Sequence, residues 1–526
     1  MTERPTPTND IAIPAGLEAS VPQAASGEIT DAEYDSRVIT GSLPTVDSPD
    51  HSRRNRVVIN LMLVATFVVF LNETIIGVAI PDLMKELNIP ASTAQWLSTA
   101  FMLTMAVVIP ITGFLMTRLS TRTVFILAMS LFSAGTAIAA IAPGFEVLLF
   151  GRVVQASGTA IMMPLLMTTV MTLVPPHTRG KTMGNISIVM SVAPAAGPAI
   201  AGVILSVLDW RWIFILVLPI ALGALVLGGM RVQNVTEPRK VPLDILSVIL
   251  SSFAFGGLIY GLSSLGEAAS GESLVSPWIP IGVGVAALGA FIARQRLLQR
   301  NDRALLDLRT FASRGFAVSI VLMMIMMAAL FGTIILLPIY TQDVLGLDPL
   351  ASGLILVPGS LLMGFAGPIV GRLYDKFGPK PLLVPGAIWV SIALWGMAML
   401  LNDTTPVWLV LALHIALSVG LAFMFTPLFT SALGSLKPHL YSHGSATIGT
   451  VQQLAGAAGT ALFIALLTVG TLAGQAAGGN EVVALANGTH TAFMAGAIIS
   501  LFAIVAAFFV PKPDPELAGA GMPGGH

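Results

Sequence analysis

The sequence contains no cysteine and few charged residues. The absence of cysteine among its 526 residues excludes disulfides, thiol catalysis and metals bound by cysteine. Charged residues make up 10% of the chain and hydrophobic residues 55%, whereas a soluble domain carries about 25% charged residues. So few charges cannot cover so much apolar surface in water. The sequence therefore predicts an integral membrane protein.

Motifs of enzymes and of secreted proteins are also missing. The sequence has no glycine-rich phosphate-binding motif, no cluster of histidines and acids and no catalytic serine motif. We therefore expect no enzyme, cofactor, metal site or nucleic-acid partner. No basic segment with a short apolar run and a cleavage site begins the chain, so the first apolar run should be a retained helix. Residues 1–52 are predicted as a disordered cytoplasmic tail, and residues 512–526 as a second disordered tail.

Long apolar runs dominate the rest of the chain. A helix that crosses the hydrocarbon layer of ~30 Å needs about 20 residues. Division of the chain at its charged, Pro- and Gly-containing breaks gives fourteen such runs and predicts an all-α fold. The runs are 57–80, 95–117, 122–142, 147–172, 182–208, 212–230, 244–265, 277–294, 316–340, 350–371, 381–401, 407–433, 447–473 and 490–510.

Basic residues lie mostly on one side of this layout. An even number of spans puts both termini on one side, and the segments of that side hold Arg and Lys from Arg53 to Lys512. The opposite loops hold Lys85 and the boundary residue Arg211. The positive-inside rule assigns the basic loops to the cytoplasm. We expect a multi-pass protein of the cell membrane with both termini cytoplasmic.

Two loops repeat one pattern. GFLMTRLSTR, which contains Gly113 and Arg118, follows the second helix, and GRLYDKFGPK, which begins at Gly371, follows the tenth. Related halves around a midplane site are typical of secondary transporters. The predicted segments are 53–232 for a first six-helix bundle, 233–300 for two additional helices and 301–511 for a second six-helix bundle.

The second of these loops predicts a contact that holds the cytoplasmic side. Gly371, Asp375 and Gly378 are expected to let the chain turn tightly between the tenth and eleventh helices. Asp375 is placed to accept from free N–H groups at the start of the next helix. Basic residues such as Lys376 are placed to reach the last carbonyls of the helix before. The alternative is a plain charged turn, against which the recurrence in both halves argues.

An Asn–Glu pair interrupts the first apolar run, FVVFLNETIIGVAIP. At about 1.5 Å rise per residue, Glu73 lies ~10 Å and Arg152 of the fourth helix ~8 Å below the outer ends of their helices. Opposite charges at one depth are tolerable when paired or hydrated, so we expect one water-accessible cavity in which Glu73 binds and releases a proton. The alternative is a buried ion pair that only holds helices together. Asn72 and Gln155 are either substrate contacts or packing hydrogen bonds.

Other positions have two interpretations each. His414 is a neutral imidazole satisfied by a backbone carbonyl or hydroxyl, or else a second proton site. Phe425 belongs to a Met- and Phe-rich segment that faces lipid and core, or else lines a soft apolar pocket. In SVAPAAGPAIAG, prolines including Pro198 bend the fifth helix, while Gly197 and Gly202 permit close approach of a neighbouring helix. The candidate substrate cavity thus comprises Asn72, Gln155, His414 and Phe425.

Together the motifs resemble the fourteen-helix drug–proton antiporter branch (EmrB/QacA-like) of the major facilitator superfamily, over roughly residues 57–510. GRLYDKFGPK matches the cytoplasmic loop motif of that family, LLFGRVVQASGTA its helix-four motif and SVAPAAGPAIAG its antiporter motif. The first helix is similar to that of lincomycin-resistance (LmrB-like) members, with Asn72 where Asp is usual and the carboxylate at Glu73. In the first loop motif, Thr117 stands where Asp is usual.

The resemblance implies a major facilitator fold and proton-coupled export of lipophilic antibiotics, lincosamides among them, by alternating access. It implies a small amphiphilic drug, protons and the lipid bilayer as partners of a monomer. Two alternatives stay open: an exporter of an endogenous metabolite or lipid, and a non-transporting membrane scaffold or sensor. The paired loop motifs and the intramembrane charges argue against the scaffold.

Overall fold

The computed structural model describes residues 49–234, 238–239, 241–269 and 276–513. Within these ranges the chain forms helices and no strand, and fourteen helical segments are long and apolar enough to cross a membrane. The predicted all-α fold with fourteen spans is confirmed. Residues 49–52, which were predicted to belong to the first disordered tail, form the start of the first helix. Residues 512–513 of the second tail follow the last helix, and the rest of both predicted tails lies outside the described residues.

The helices fall into three groups along the chain. The N-terminal half consists of α1 (Pro49–Glu86), α2 (Ala91–Arg118), α3 (Thr121–Ala140), α4 (Phe145–Leu173), α5 (Arg179–Leu205) and α6 (Arg211–Arg231). The inserted hairpin consists of α7, which runs through Ile245–Ser251, a π-helical turn Ser252–Gly256 and Gly257–Ala269, and of α8 (Trp278–Leu298). The C-terminal half consists of α9 (Arg314–Ile339), α10 (Pro349–Phe377), α11 (Lys380–Leu400), α12 (Val407–Gly434), α13 (Tyr441–Ala476) and α14 (Glu481–Phe509).

Some helices extend beyond the apolar runs that predicted them. α1 was expected to leave the membrane at Pro81, but it continues through this proline to Glu86. α14 was expected to begin at residue 490, but it begins nine residues earlier because the side chain of Asn480 accepts from the N–H of Val483 at 2.8 Å. Such a cap satisfies a donor that a helix start leaves unpaired. Hydropathy alone does not register these polar ends.

The two halves meet along α5 and α10, which we call the first seam. A Cβ added to Gly371 would lie 2.1 Å from the carbonyl oxygen of Gly180, and one added to Gly184 would lie 2.3 Å from that of Gly367. Only glycines allow helix backbones to come this close. At Gly353, near the other end of α10, an added Cβ would meet nothing within 4 Å. The close contact therefore lies toward the end of α10 and the start of α5, on the side where α1 begins and α14 ends, here called the basic side.

The halves also meet along α2 and α13, the second seam, and the inserted hairpin packs over it. Phe255 of α7 and Phe291 of α8 form one apolar cluster with Phe114 of α2 and Ala446 of α13. The two hairpin rings lie edge to face with centroids 5.9 Å apart. The hairpin thus contacts both halves, whereas the first seam joins its two helices directly.

Candidate transport site

Close packing of α3 and α4 fixes the position of Arg152. A Cβ added to Gly135 of α3 would lie 2.3 Å from the backbone nitrogen of Gln155, and one added to Gly158 of α4 would lie 2.4 Å from the carbonyl oxygen of Ala128. Both neighbours are backbone atoms, so no side-chain rotation could make room. The pairing sets the rotation of α4, and Arg152 and Gln155 lie buried in the bundle interior.

Arg152 is the centre of a hydrogen-bond network that joins α1, α3 and α4, and its guanidinium also lies against a ring of α2. Its Nη1 donates to Oε1 of Gln155 at 2.7 Å and to Oδ1 of Asn72 on α1 at 3.3 Å. Nε2 of Gln155 donates to Oγ1 of Thr136 on α3 at 2.7 Å. The guanidinium carbon lies 4.1 Å from the ring centroid of Phe101 on α2. Arg152 is 1% exposed. Its positive charge is therefore buried inside the N-terminal half, where its hydrogen bonds go to neutral amide oxygens.

Glu73, next to Asn72 on α1, is the acidic residue near Arg152. Its side chain is partly exposed and interacts electrostatically with Arg152. In the part of the chain that the structure describes, no hydrogen bond or ion pair joins the two side chains, and Asn72 occupies the direct contact. The structure therefore brings Glu73, Asn72, Arg152 and Gln155 into one region without a direct Glu73–Arg152 bond.

Two buried donors of this network have no hydrogen-bond partner among the described residues. They are Nε of Arg152 and Nδ2 of Asn72. A buried polar group without a partner costs about 1–3 kcal/mol. Both N–H groups are therefore available to an acceptor that moves toward them.

The antiporter-like segment of α5 packs against α1 next to these residues. A Cβ added to Gly197 would lie 2.1 Å from Oγ1 of Thr74 and 3.2 Å from the carbonyl oxygen of Leu71. Gly202 was expected to make a similar contact, but an added Cβ there would meet nothing within 4 Å, and Pro198 is exposed. The close approach is thus at the level of Gly197, against residues of α1 that flank Glu73.

Asp375 joins the two halves, and the expectation for its partner was wrong. Its Oδ1 accepts from the N–H of Gly180 at 2.7 Å and its Oδ2 from the N–H of Lys181 at 2.9 Å, both in the first turn of α5 rather than of α11. The carboxylate thus caps a helix of the opposite half, where unpaired N–H groups favour an anion. Gly371 lies inside α10 and provides close approach rather than a turn. Gly378 does end the helix, with φ of 80°.

Lys376 lies against a neighbouring ring rather than on the helix-end carbonyls predicted for it, and Arg118 of the first loop contacts a linker. Nη1 of Arg118 donates to the carbonyl oxygen of Val241, in the linker before the hairpin, at 3.0 Å. Nζ of Lys376 lies 5.1 Å from the ring centroid of Phe377. Arg118 therefore bonds to the linker rather than to the end of its own helix.

Arg179, a basic residue at the start of α5 for which the sequence indicated no partner, closes the end of α4. Its Nε donates to the carbonyl oxygen of Val174 at 3.0 Å and its Nη2 to that of Met171 at 2.8 Å. Its Nη1 also approaches the hydroxyl of Tyr441 on α13 at 3.5 Å. One side chain therefore ties α4, α5 and the opposite half together at the basic side.

Two hydroxyl pairs add to this closure. Thr168 of α4 and Ser445 of α13 lie 2.7 Å apart, and Ser187 of α5 and Thr426 of α12 lie 2.8 Å apart, oxygen to oxygen. Each pair crosses between the halves and is buried. A single Ser or Thr in an apolar run does not indicate which residue its hydroxyl contacts. These two pairs were therefore not predicted from the sequence.

His414 and Phe425 lie in the C-terminal half, away from Arg152. Nε2 of His414 donates to the carbonyl oxygen of Leu356 on α10 at 3.3 Å, and its ring packs against Gly359. Phe425 is 3% exposed and stacks on Phe429 with centroids 5.0 Å apart. Both are core contacts in this structure, and the cavity role predicted for them stays a prediction.

The fold and these loop contacts are those of a membrane transporter with two related halves. The sequence matches the Major Facilitator Superfamily over residues 62–460. The chain belongs to this superfamily and is a multi-pass membrane transporter rather than an enzyme. The family resemblance read from the motifs is thereby confirmed.

Curated relatives cover most of the chain. The lincomycin resistance protein LmrB of Bacillus subtilis (strain 168) is 38% identical over 457 residues, which are 86% of this chain and 95% of that protein. The uncharacterized MFS-type transporter YcnB of the same organism is 39% identical over 458 residues, 87% of this chain and 95% of that protein. The multidrug resistance protein B homolog of Mycobacterium tuberculosis (strain H37Rv) is 29% identical over 463 residues, 87% of this chain and 82% of that protein.

Solved structures support the fold alone. The proton:xylose symporter XylE has a TM-score of 0.60 at 14% identity, over 89% of this chain and 99% of that one. The human organic anion transporter MFSD10 has a TM-score of 0.59 at 15% identity, over 88% of this chain and 100% of that one.

Proposed function

We propose that the protein exports lipophilic antibiotics, lincosamides among them, in exchange for protons by alternating access. The names of relatives as lincomycin and multidrug resistance proteins support a drug as substrate. A single carboxylate, Glu73, lies next to Arg152, which suits neutral or singly basic amphiphiles better than dications. The protein acts as a monomer in the cell membrane, with the basic side and both termini in the cytoplasm by the positive-inside rule.

The observation that carries this proposal is the placement of Glu73 beside an arginine held by neutral amides. When Glu73 is ionised, its carboxylate is drawn to the two unpartnered donors, Nε of Arg152 and Nδ2 of Asn72. When Glu73 is protonated, that attraction is lost and Arg152 stays on Asn72 and Gln155, as in this structure. Proton binding therefore changes which groups hold α1 against α4.

This change can reach the seam between the halves through α5. Gly197 contacts α1 at Leu71 and Thr74, so a shift of α1 at Glu73 must displace α5 as well. The other end of α5 carries the N–H groups that bind Asp375. One helix thus connects the proton site to the contact that closes the basic side.

The closed basic side supports assignment of this structure to the outward-facing state. In that state Glu73 takes a proton from outside as drug leaves, and it releases the proton to the cytoplasm after the seams open. Such an exchange needs a switch between two states, each of which is closed on one side. The glycine contacts of the first seam stabilise the state that is closed on the basic side.

The test is substrate-induced proton flux in everted membrane vesicles. Respiration acidifies the vesicle interior and quenches an acridine dye, and addition of lincomycin should restore fluorescence as protons leave in exchange. Glu73→Gln should remove this response, because an amide binds no proton in this range. Asp82→Asn is the matched control, since Asp82 is an exposed acid on the same helix, and it should respond like the wild type.

Two results would reject parts of the proposal separately. Full dequenching by Glu73→Gln would remove this residue from coupling. A wild-type protein that neither responds to lincomycin nor lowers susceptibility to it in cells would remove lincosamides from the substrates.

A further inference from the structure

The two seams are latched by different parts of the chain. At the first seam the carboxylate of Asp375, four residues after Gly371, accepts from α5. At the corresponding position of the first loop, four residues after Gly113, the chain has Thr117. The Thr117 hydroxyl donates to the carbonyl oxygen of Gly113 within α2, at 2.9 Å. The end of α2 therefore offers no anion to the start of α13.

The linker between the hairpin and α9 lies at this place instead. The backbone N–H of Asp307 donates to Nδ1 of His443, in the first turn of α13, at 3.4 Å. The same imidazole faces α2, where a Cβ added to Gly113 would lie 3.1 Å from Nδ1 and 3.3 Å from Cα of His443. His443 is 8% exposed. It therefore fills the space between α2 and the linker.

The linker is itself held firmly. The carboxylate of Asp307, 6% exposed, accepts from Nη2 of Arg309 at 2.6 Å and from its Nε at 2.9 and 3.0 Å. Earlier in the chain, Oε1 of the buried Gln295 on α8 accepts from the N–H of Leu305 at 2.8 Å. The contacts with Arg309 and with Gln295 therefore position the N–H of Asp307, which donates to His443.

The linker before the hairpin holds the other helix of this seam. Nη1 of Arg118 donates to the carbonyl oxygen of Val241, and the N–H of Arg239 donates to the carbonyl oxygen of Thr117 at 2.9 Å. One linker therefore binds the end of α2 and the other binds the start of α13. The hairpin between them packs over both helices.

We propose that the inserted hairpin and its two linkers latch the second seam in place of the carboxylate that the first loop lacks. His443 is the positioning residue of this latch: its Nδ1 takes the linker N–H, and its ring contacts α2. The inference rests on alternating access as part of the proposed function, but it requires neither a drug nor a proton as the transported species.

The test is labelling of a single cysteine at the seam. The protein has no cysteine of its own, so Ala446→Cys, next to Gly113, reports alone when purified protein in liposomes reacts with N-ethylmaleimide. His443→Ala in this background should speed labelling about fivefold, as expected from loss of one hydrogen bond. His443→Asn keeps an acceptor near the position of Nδ1 and should restore the slow rate. His490→Ala, an exposed histidine on α14, is the matched control and should have no effect.

A second substitution tests whether the latch replaces a carboxylate. Thr117→Asp added to His443→Ala should slow labelling again, because the new carboxylate can accept from the first turn of α13 as Asp375 does from α5. Thr123→Asp, the same change at an exposed position of the next helix, should not. Should His443→Ala fail to fold, His443→Leu, which fills the same space without offering an acceptor, should also speed labelling.

Labelling of His443→Ala at the His490→Ala rate, or fast labelling that Thr117→Asp leaves unchanged, would overturn the proposal. Because this assay uses no drug and no proton gradient, its failure is separate from a failure of drug–proton exchange.

Discussion

Replacement of Gly371 by alanine should open the first seam. A Cβ at this position would lie 2.1 Å from the carbonyl oxygen and 2.6 Å from the carbonyl carbon of Gly180, whereas ordinary contact begins at 3.4 Å. Both atoms are backbone, so α5 and α10 must separate. Overpacking of this kind costs about 1–3 kcal/mol, and a difference of that size shifts a two-state equilibrium by about 5- to 150-fold. The ratio of the closed to the open basic side should fall by that factor.

The assay again labels a single introduced cysteine, because the protein has no cysteine of its own. Ser187→Cys places a thiol on α5 at a buried contact with Thr426, and a membrane-impermeant maleimide added from the basic side should react at least about fivefold faster in Gly371→Ala. Gly353→Ala is the matched control on the same helix, since its Cβ would meet nothing within 4 Å. Equal labelling in the two variants would refute the reasoning that these glycines hold the basic side closed.

Three further outcomes are expected. Gly197→Ala should lower transport in the vesicle assay because its Cβ would lie 2.1 Å from Oγ1 of Thr74, and Thr74→Ala in the same chain should restore part of it; no recovery would contradict this contact as the cause. Arg179→Lys should lower stability by about 1–3 kcal/mol, since lysine cannot reproduce two carbonyl contacts, and thermal unfolding in detergent would measure it. Arg294 holds the pKa of Asp244 below its usual range through hydrogen bonds, so the wild type should be more stable than Asp244→Asn above the unfolded pKa of about 4 and lose that advantage as pH falls below it. Thermal unfolding of both proteins across this range checks the sign, and a difference that persists in acid would contradict it.

The number of helices could be predicted from the sequence because the lipid interior offers the backbone no hydrogen-bond partners. A run of about 20 apolar residues must satisfy its own backbone, and a helix does so within the segment. The ends were less predictable, since the cap of Asn480 and the polar turns beyond Pro81 depend on local hydrogen bonds rather than on hydropathy.

The sequence indicated the depths of Glu73 and Arg152 but not the bonds that their neighbours make. Depth along a helix follows from a rise of about 1.5 Å per residue, so Glu73 and Arg152 were expected at one level. Neighbouring residues such as Asn72 and Glu73 differ little in depth but point in different directions, and depth alone could not tell which one meets the guanidinium. The structure gives that contact to Asn72.

The partner of Asp375 could not be predicted for a different reason. Helix-end rules refer to the adjacent helix, whereas Gly180 is 195 residues away in the sequence. The glycines at 180 and 184, four residues apart, were a usable signal, because small residues at this spacing often mark a close helix pair. They match the pair at 367 and 371.

The inserted hairpin makes the two flanks of the protein unlike. On one flank α7 and α8 lie over the junction of α2 and α13, whereas on the other α5 and α10 approach each other directly. Closure at the junction of α5 and α10 therefore depends on contacts between the two halves themselves. At the junction of α2 and α13, a third segment of the chain shares that task.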